Sequence, residues 1–280
     1  MRLPDWIKTP YRTGLHDTKH LLRRHGLSTV CEDARCPNRG ECFSKPTATF
    51  LILGPCCTRN CGFCSVTSAT PVAVNIHEPD QVAAAAAELN LKYVVITSVT
   101  RDDLPDGGAD QFAQTIRAIR GRLPEARIEV LTPDFNGDLN SLKVVLDAGP
   151  DVFNHNIETV QRLYPAVRPQ AGYQQSLSLL KSAKDMSPAI AVKSGFMLGL
   201  GETMDEVVQL LEDLRENGCD FLTIGQYLRP TKKNLPVVKY ILPKAFDELK
   251  DAALSMGFSY VASGPLVRSS MNAEEMYNKL

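Results

Sequence analysis

From Thr49 onward the chain alternates apolar, β-branched runs with segments of helical periodicity, a pattern that leaves few folds open. Strands are predicted over 49–53, 93–99, 127–131, 151–157, 189–198 and 220–228. Helices are predicted over 79–90, 110–123, 139–148, 173–186 and 204–217, and a seventh pair places a helix over 243–256 and a strand over 258–262. Strands that alternate with helices need crossover connections and a parallel sheet, so the class is α/β. No Gly-rich dinucleotide fingerprint follows the first strand, and the expectation is a partial (βα)6 TIM-like barrel. In such a barrel the chemistry sits at the C-terminal ends of the strands. Polar residues collect there at 97–103, at 154–158, at Lys193 and Ser194, and at Gln226 and Tyr227.

Residues 1–48 show no such alternation and are rich in Lys, Arg and His between Lys8 and His25. The expected organisation is therefore an N-terminal extension over 1–48, the partial barrel over 49–257, and a C-terminal strand and tail over 258–280. At 280 residues, with 44% hydrophobic and 22% charged residues, the composition is that of an ordinary globular protein. A formal charge of −1 gives no global attraction to nucleic acid or to anionic membranes. The longest alanine-rich stretch, 82–87, is cut by Glu88, so no apolar run is long enough to span a bilayer. The first residues carry neither an apolar signal core nor an Arg/Ser-rich presequence, and a cytoplasmic monomer is expected.

Six of the eight cysteines fall into two triplets, Cys31-x4-Cys36-x5-Cys42 and Cys57-x3-Cys61-x2-Cys64. In a reducing compartment, clustered cysteines bind metals more often than they form disulfides. A closed zinc site or a fully ligated cluster takes four protein ligands, and each triplet offers three. Structural zinc sites usually pair two Cys-x2-Cys units, and only Cys61 and Cys64 have that spacing, so iron–sulfur is the favoured reading. The second triplet follows the first strand and faces the mouth of the expected barrel. Three thiolates there would hold three irons of a [4Fe–4S] cubane, leave the fourth open to an exogenous chelator, and place Phe63 as a shield. Cys56 would need an x4 spacing and is expected to be a buried neighbour. Cys219, alone before a strand, reads as an ordinary buried thiol, and His155 lacks partners for metal ligation.

The second triplet resembles the cysteine motif of the radical S-adenosylmethionine superfamily. The segments 29–42, 96–108, 153–159, 193–202, 225–230 and 264–270 together resemble the lipoyl synthase family, in order, over almost the whole chain. The resemblance implies two [4Fe–4S] clusters and S-adenosylmethionine, whose amino and carboxylate groups chelate the open iron beside Cys57, Cys61 and Cys64. It implies a second cluster on Cys31, Cys36 and Cys42 that is spent as the sulfur source. Its fourth ligand would be Ser269 or Ser270, with Ser270 favoured and Arg268 as a neighbouring catalytic contact. A serine oxygen binds this iron more weakly than a thiolate, which suits an iron that must leave. Met271 stands where the family usually has tyrosine.

The same resemblance implies sulfur insertion at C6 and C8 of an octanoyl chain linked to lysine of a lipoyl carrier domain or the glycine-cleavage H protein. It also implies an electron donor such as ferredoxin or flavodoxin, and an iron–sulfur carrier that rebuilds the spent cluster. Asn156, Glu158, Lys193, Gly199 and Gly201 are candidates for binding S-adenosylmethionine, although strand-end capping, a buried ion pair and a simple turn explain the same residues. Asp102 and Asp103 either define the methionyl end of that site or cap their loop. The basic segment with Lys8, Arg12, Lys19, Arg23 and Arg24 is read as a solvated face, with an acidic carrier as the alternative. The rival functions are another radical sulfur-inserting enzyme, such as one acting on RNA, and a zinc-stabilised binding protein.

Overall fold

Each predicted strand from the first to the seventh is present in the computed structural model, which describes residues 3–7, 15–38, 40, 49–271 and 273–277. These residues fall into two compact units. One comprises Pro10–Arg59 and Ser65–Phe153; the other comprises Met1–Thr9, Asn60–Cys64 and Asn154–Leu280.

The first of these units holds helix α1 (Leu15–Arg24), strand β1 (Ser28–Thr29), the short helix α2 (Val30–Asp33) and strand β2 (Thr49–Ile52). A two-strand ribbon of β3 (Cys56–Cys57) and β4 (Thr67–Ser68) follows. Then come α3 (Glu78–Glu88), β5 (Tyr93–Ser98), α4 (Ala109–Arg122), β6 (Arg127–Leu131), α5 (Leu139–Asp147) and β7 (Val152–Asn154). The strands neighbour one another in the order β1, β2, β5, β6, β7. Pairing is parallel from Thr49↔Val95 and from Tyr93↔Arg127, and only β1 joins antiparallel, with Ser28 opposite Leu51. Phe50, Ile52, Val94, Ile96, Ile128 and Val130 are fully buried, as strands covered on both faces must be. The helices turn Val82, Ala86, Phe112, Ile116 and Val145 onto them. Pro79 in its first turn starts α3, and the Asp138 carboxylate caps α5 by accepting from Asn140 N and Ser141 N.

The other unit carries α6 (Tyr164–Val167), α7 (Tyr173–Met186), β8 (Ala191–Leu198), α8 (Met204–Glu216), β9 (Phe221–Gln226), α9 (Pro243–Ser255), β10 (Tyr260–Gly264) and α10 (Ala273–Tyr277). Its strands run parallel in the order β8, β9, β10, with Lys193 opposite Phe221 and Gly225 opposite Gly264. A capping box between Thr203 and Glu206 opens α8, whose Val207, Leu210, Leu211 and Leu214 are buried.

The same device begins β7 and β9. Asp151 donates its backbone N–H to Ile128 O and accepts the Ile128 N–H on its carboxylate. Asp220 does the same with Val192. A carboxylate that takes the ladder hydrogen bond ends the strand pattern, and both strands start one residue later than predicted. The predicted strand over 151–157 is shortened to three residues for a related reason. After Asn154 the Ile157 N–H is satisfied by the Ser194 hydroxyl, and Glu158 turns to φ 68° before re-pairing with Phe196. The N-terminal region holds helix, strand and helix where the sequence showed no repeat, and the last strand lies at Tyr260–Gly264 instead of 258–262. The fold is α/β with a mostly parallel sheet, as expected. No helix among the described residues is long and apolar enough to cross a membrane.

Candidate active site

Cys57 leaves β3 with its sulfur turned towards backbone donors. Its Sγ accepts the N–H of Arg59 and the N–H of Thr100, each at 3.4 Å. Two N–H groups aimed at one sulfur stabilise a thiolate and a thiolate-bound metal. Cys56, next along the ribbon, is half-buried and not fully buried as expected.

Arg59, two residues on, is the most heavily bonded side chain of this loop. Its guanidinium forks onto Asp102 at 2.8 and 2.9 Å and onto Asp134 at 2.7 and 2.8 Å, and also meets Asn136 Oδ1 at 2.7 Å. The arginine is 5% exposed and Asp134 wholly buried. Burial alone would disfavour its charge, but hydrogen bonds and attraction from Asp134 and Asp102 outweigh that and hold the guanidinium protonated. Asp102 also accepts from the Thr58 hydroxyl and donates its N–H back to it. Asp103 is instead paired with Arg101, whose hydrogen bond holds the carboxyl below its ordinary range. Arg59 carries no sequence signal, because its partners lie 43 and 75 residues away.

Cys61 and Cys64 belong to the unit of β8–β10 and form one tight turn, with Cys64 N–H donated to Cys61 O at 3.1 Å. The turn is tied down by Gly62 N to Val167 O, Leu235 N to Gly62 O, and Asn234 Nδ2 to Cys64 O at 2.7 Å. Phe63 packs against Val167, Leu200 and Tyr227. Both cysteines are half-buried. Among the described residues, no three His, Cys, Asp or Glu side chains converge as the ligands of a single ion would. A cubane sets a different demand, because each thiolate takes its own iron.

In the first triplet Cys31 is buried in α2 and Cys36 is half-buried. Cys36 N–H meets Cys31 O at 3.1 Å, so the x4 spacing closes a turn that continues the helix, with Arg35 at φ 51°. Cys42 lies outside the described residues.

The C-terminal strand ends of the second unit gather the remaining candidates. Asn154 Nδ2 donates to Ser269 Oγ, and Ser269 Oγ donates to Asn156 Oδ1, both at 3.0 Å. Ser270 has no hydrogen-bond partner among the described residues. The tail reaches this position because of Gly225 in β9: a Cβ there would lie 2.4 Å from Val267 O and 3.2 Å from an Arg268 guanidinium nitrogen. Arg268 donates to Val267 O at 2.6 Å. Burial pushes the Glu158 carboxyl above its ordinary range, against the opposing pull of Arg168 and the Asn156 side chain. Arg168 itself donates to Asn156 O at 2.9 Å and lies over the Tyr164 ring.

Lys193 is fully buried in β8. Gly199 has φ 100°, and the space of a Cβ is taken by Gln226 Nε2 and Lys239 O, so its own chain requires glycine there. Gly201, at φ 110°, has room beside its Cα, where a Cβ would meet only Val238, while its carbonyl accepts from Arg162 at 2.8 Å. The Glu202 carboxylate closes this loop on Gly199 N and Leu200 N. His155 pairs with the Ser176 hydroxyl at 3.0 Å, and burial followed by the Asp220 charge pushes the Cys219 thiol far above its ordinary range. Neither is poised for metal chemistry.

The family model for the radical SAM superfamily matches residues 51–214. The lipoyl synthase of Rubrobacter xylanophilus is 56% identical over 97% of this chain and 85% of its own. That of Caldicellulosiruptor bescii is 55% identical over 98% of this chain and 95% of its own. Among solved structures, HydG, a maturase of the [FeFe]-hydrogenase, superposes with a TM-score of 0.57 at 14% identity, covering 95% of this chain and 74% of its own. At that identity the likeness speaks for the fold alone. A parallel α/β unit, a cysteine loop after its first long strand, and relatives alike over nearly the full length all agree, and the chain belongs to the radical SAM superfamily and, within it, to the lipoyl synthase family.

Proposed function

We propose that the lipoyl synthase activity of this chain is divided between its two cysteine triplets, with an octanoyl chain on a protein lysine as substrate and sulfur placed at C6 and C8. The observation that carries this reading is the Cys57 sulfur, which accepts two backbone N–H groups at 3.4 Å. A sulfur that two backbone donors hold in place is suited to bind metal rather than to pack as an ordinary core thiol. Cys57, Cys61 and Cys64 hold the radical cluster. Cys31, Cys36 and Cys42, with Ser270, hold the second. When bound, the first cluster with S-adenosylmethionine supplies a carbon radical able to take hydrogen from an unactivated C–H bond, and the second supplies sulfur.

The chain's own residues position and shield. Arg59 fixes the Cys57 loop from behind through Asp102 and Asp134. Phe63 covers the cysteine turn on the side of Val167 and Leu200. Asn156 and Glu158 bind the ribose of the cofactor, with burial pushing the Glu158 carboxyl above its ordinary range against the pull of Arg168 and Asn156. Gly201 gives close backbone access that Gly199 does not. Lys193, buried near the start of β8, lies within reach of the site only through its long side chain, and Arg268 orients the tail beside the serine ligand. An octanoylated lipoyl domain or H protein delivers the substrate, and an iron–sulfur carrier rebuilds the spent cluster.

Anaerobic turnover of reconstituted protein with an octanoyl-lysyl peptide, read by mass spectrometry, tests this. Mono- and dithiolated peptide are expected. Cys57→Ala should abolish formation of 5′-deoxyadenosine, and Cys36→Ala should abolish sulfur insertion while sparing it. Equal loss of both products in the two variants would overturn the division.

A further inference from the structure

Between Gln226 and Pro243 the chain runs through 227–242 without helix or strand. Irregular loops longer than roughly 12–15 residues are uncommon in compact units and are usually functional or disordered. This one is ordered by its own bonds. Tyr227 OH donates to Leu235 O, Arg229 Nε to Asn234 O, and Thr231 Oγ1 to Asn234 Oδ1. Its inner edge is fastened to the cysteine turn through Asn234 to Cys64 and Leu235 to Gly62, and to the Gly199 loop through Val238 N to Gly199 O. Gln226 holds the far end, with Nε2 on Lys239 O and Oε1 receiving Ile241 N–H.

The outer edge differs in kind. In a chain with 31 basic and 32 acidic residues, the stretch 221–246 holds Arg229, Lys232, Lys233, Lys239 and Lys244 and no aspartate or glutamate. Arg229 spends its guanidinium on loop carbonyls, while Lys232, Lys233 and Lys239 are exposed. Val238, 60% exposed, and Leu242, 58% exposed, stand among them. Exposed apolar side chains interspersed along the chain with exposed cations suit a protein surface of opposite charge better than a small anion.

We propose that the 227–242 loop is the docking surface for a small acidic one-electron carrier protein of the flavodoxin or ferredoxin class. The inference rests on the assignment of Cys61 and Cys64 to the radical cluster. A partner that brings an acyl chain must thread that chain into the protein, whereas an electron needs only a short bonded path. Asn234 supplies one, from the loop to the peptide of Cys64. In the step itself the reduced carrier loses one electron and the cluster gains it, with no proton or group transferred.

The test combines binding with turnover in the reconstituted protein. Reduced flavodoxin is the probe, Lys232→Glu/Lys233→Glu/Lys239→Glu is the variant, and Lys92→Glu/Lys143→Glu/Lys181→Glu, at three exposed lysines outside the stretch, is the control for overall charge. Flavodoxin titrated into the wild type should bind in a salt-sensitive manner, and the triple variant should bind about tenfold more weakly. Flavodoxin-driven turnover should fall by a similar factor, and dithionite-driven turnover should stay unchanged. Equal binding by wild type and variant would overturn the proposal. So would equal loss with both reductants, or a rise in KM for the octanoylated H protein under dithionite, since either assigns the loop to chemistry or to the substrate carrier. Failure of the wild type to form product with dithionite would instead count against the proposed function, and the binding titration would still decide the docking surface.

Discussion

Ser269 donates its hydroxyl hydrogen to Asn156 Oδ1 at 3.0 Å and receives one from Asn154 Nδ2 at the same distance. The hydrogen of this hydroxyl and one of its lone pairs are therefore used within its own unit, while its neighbour Ser270 makes no hydrogen bond among the described residues. Ser270→Ala should lose about half of the bound iron, that of the second cluster, and retain S-adenosylmethionine cleavage. Ser269→Ala should keep its iron and lose about 1 kcal/mol of stability for the broken hydrogen bonds. Iron analysis alongside thermal melts separates the two.

Gly225 permits the tail to cross β9, because a Cβ there would come within 2.4 Å of the Val267 carbonyl. A backbone carbonyl cannot rotate away as a side chain does. Gly225→Ala should cost about 1–3 kcal/mol and reduce second-cluster iron while sparing the first. Gly121→Ala, at an exposed helical position with nothing within 4 Å, should instead stabilise by about 0.5–1 kcal/mol.

Arg59→Met should be among the most damaging single changes in the chain. It leaves Asp134 wholly buried and without its bidentate partner, a loss of about 3–5 kcal/mol in urea denaturation of the metal-free protein. Alkylation of Cys57 should become faster as its loop loosens. Arg59→Met/Asp134→Leu should recover much of the stability but not the protection of Cys57. A loss below about 1 kcal/mol in the single variant would remove Arg59 from its positioning role.

Glu78 supplies a pH test. Burial raises its carboxyl above the ordinary value of 4.5, against hydrogen bonds from Leu53 N and Gln111 Nε2 and the charge of Arg101. The folded state then holds the proton more tightly than the unfolded one. The advantage is complete below 4.5 and is lost as pH rises through the folded value. Both hydrogen bonds fall on one oxygen, Oε2, which glutamine reproduces. Glu78→Gln should therefore melt at a higher temperature than wild type at pH 7, with the difference closing in acid below pH 4.5.

Local pattern carried much of this architecture. The helix Tyr173–Met186 and the strand Arg127–Leu131 fall where periodicity alone places them. The strand after Asp151 was over-read because a serine hydroxyl from the next strand replaces a ladder bond at Ile157, which no local pattern encodes. The β3–β4 ribbon was too short for periodicity to stand out, and helix α1, though amphipathic, lies outside the alternation of strand and helix. The cysteines of the site were legible because spacing is a property of the chain itself. Arg59, the Ser269 bridge and the fastening of 227–242 were not, since each depends on partners far along the sequence.

The buried fork of Arg59 also constrains the order of assembly. A small zinc module can let its metal gather an unstructured peptide, because its ligands need little beyond one another. Here the arginine inside the cysteine motif must shed its water, and only carboxylates 43 and 75 residues downstream can replace that hydration. A nascent chain that has exposed its cysteines but has not yet made Asp134 lacks the means to settle this loop. Iron delivered too early meets a loop that has not settled, and the Cys61–Cys64 turn waits longer still, for Val167, Asn234 and Leu235. Loading thus belongs to the end of folding, because each part of the motif is held by residues far downstream of it.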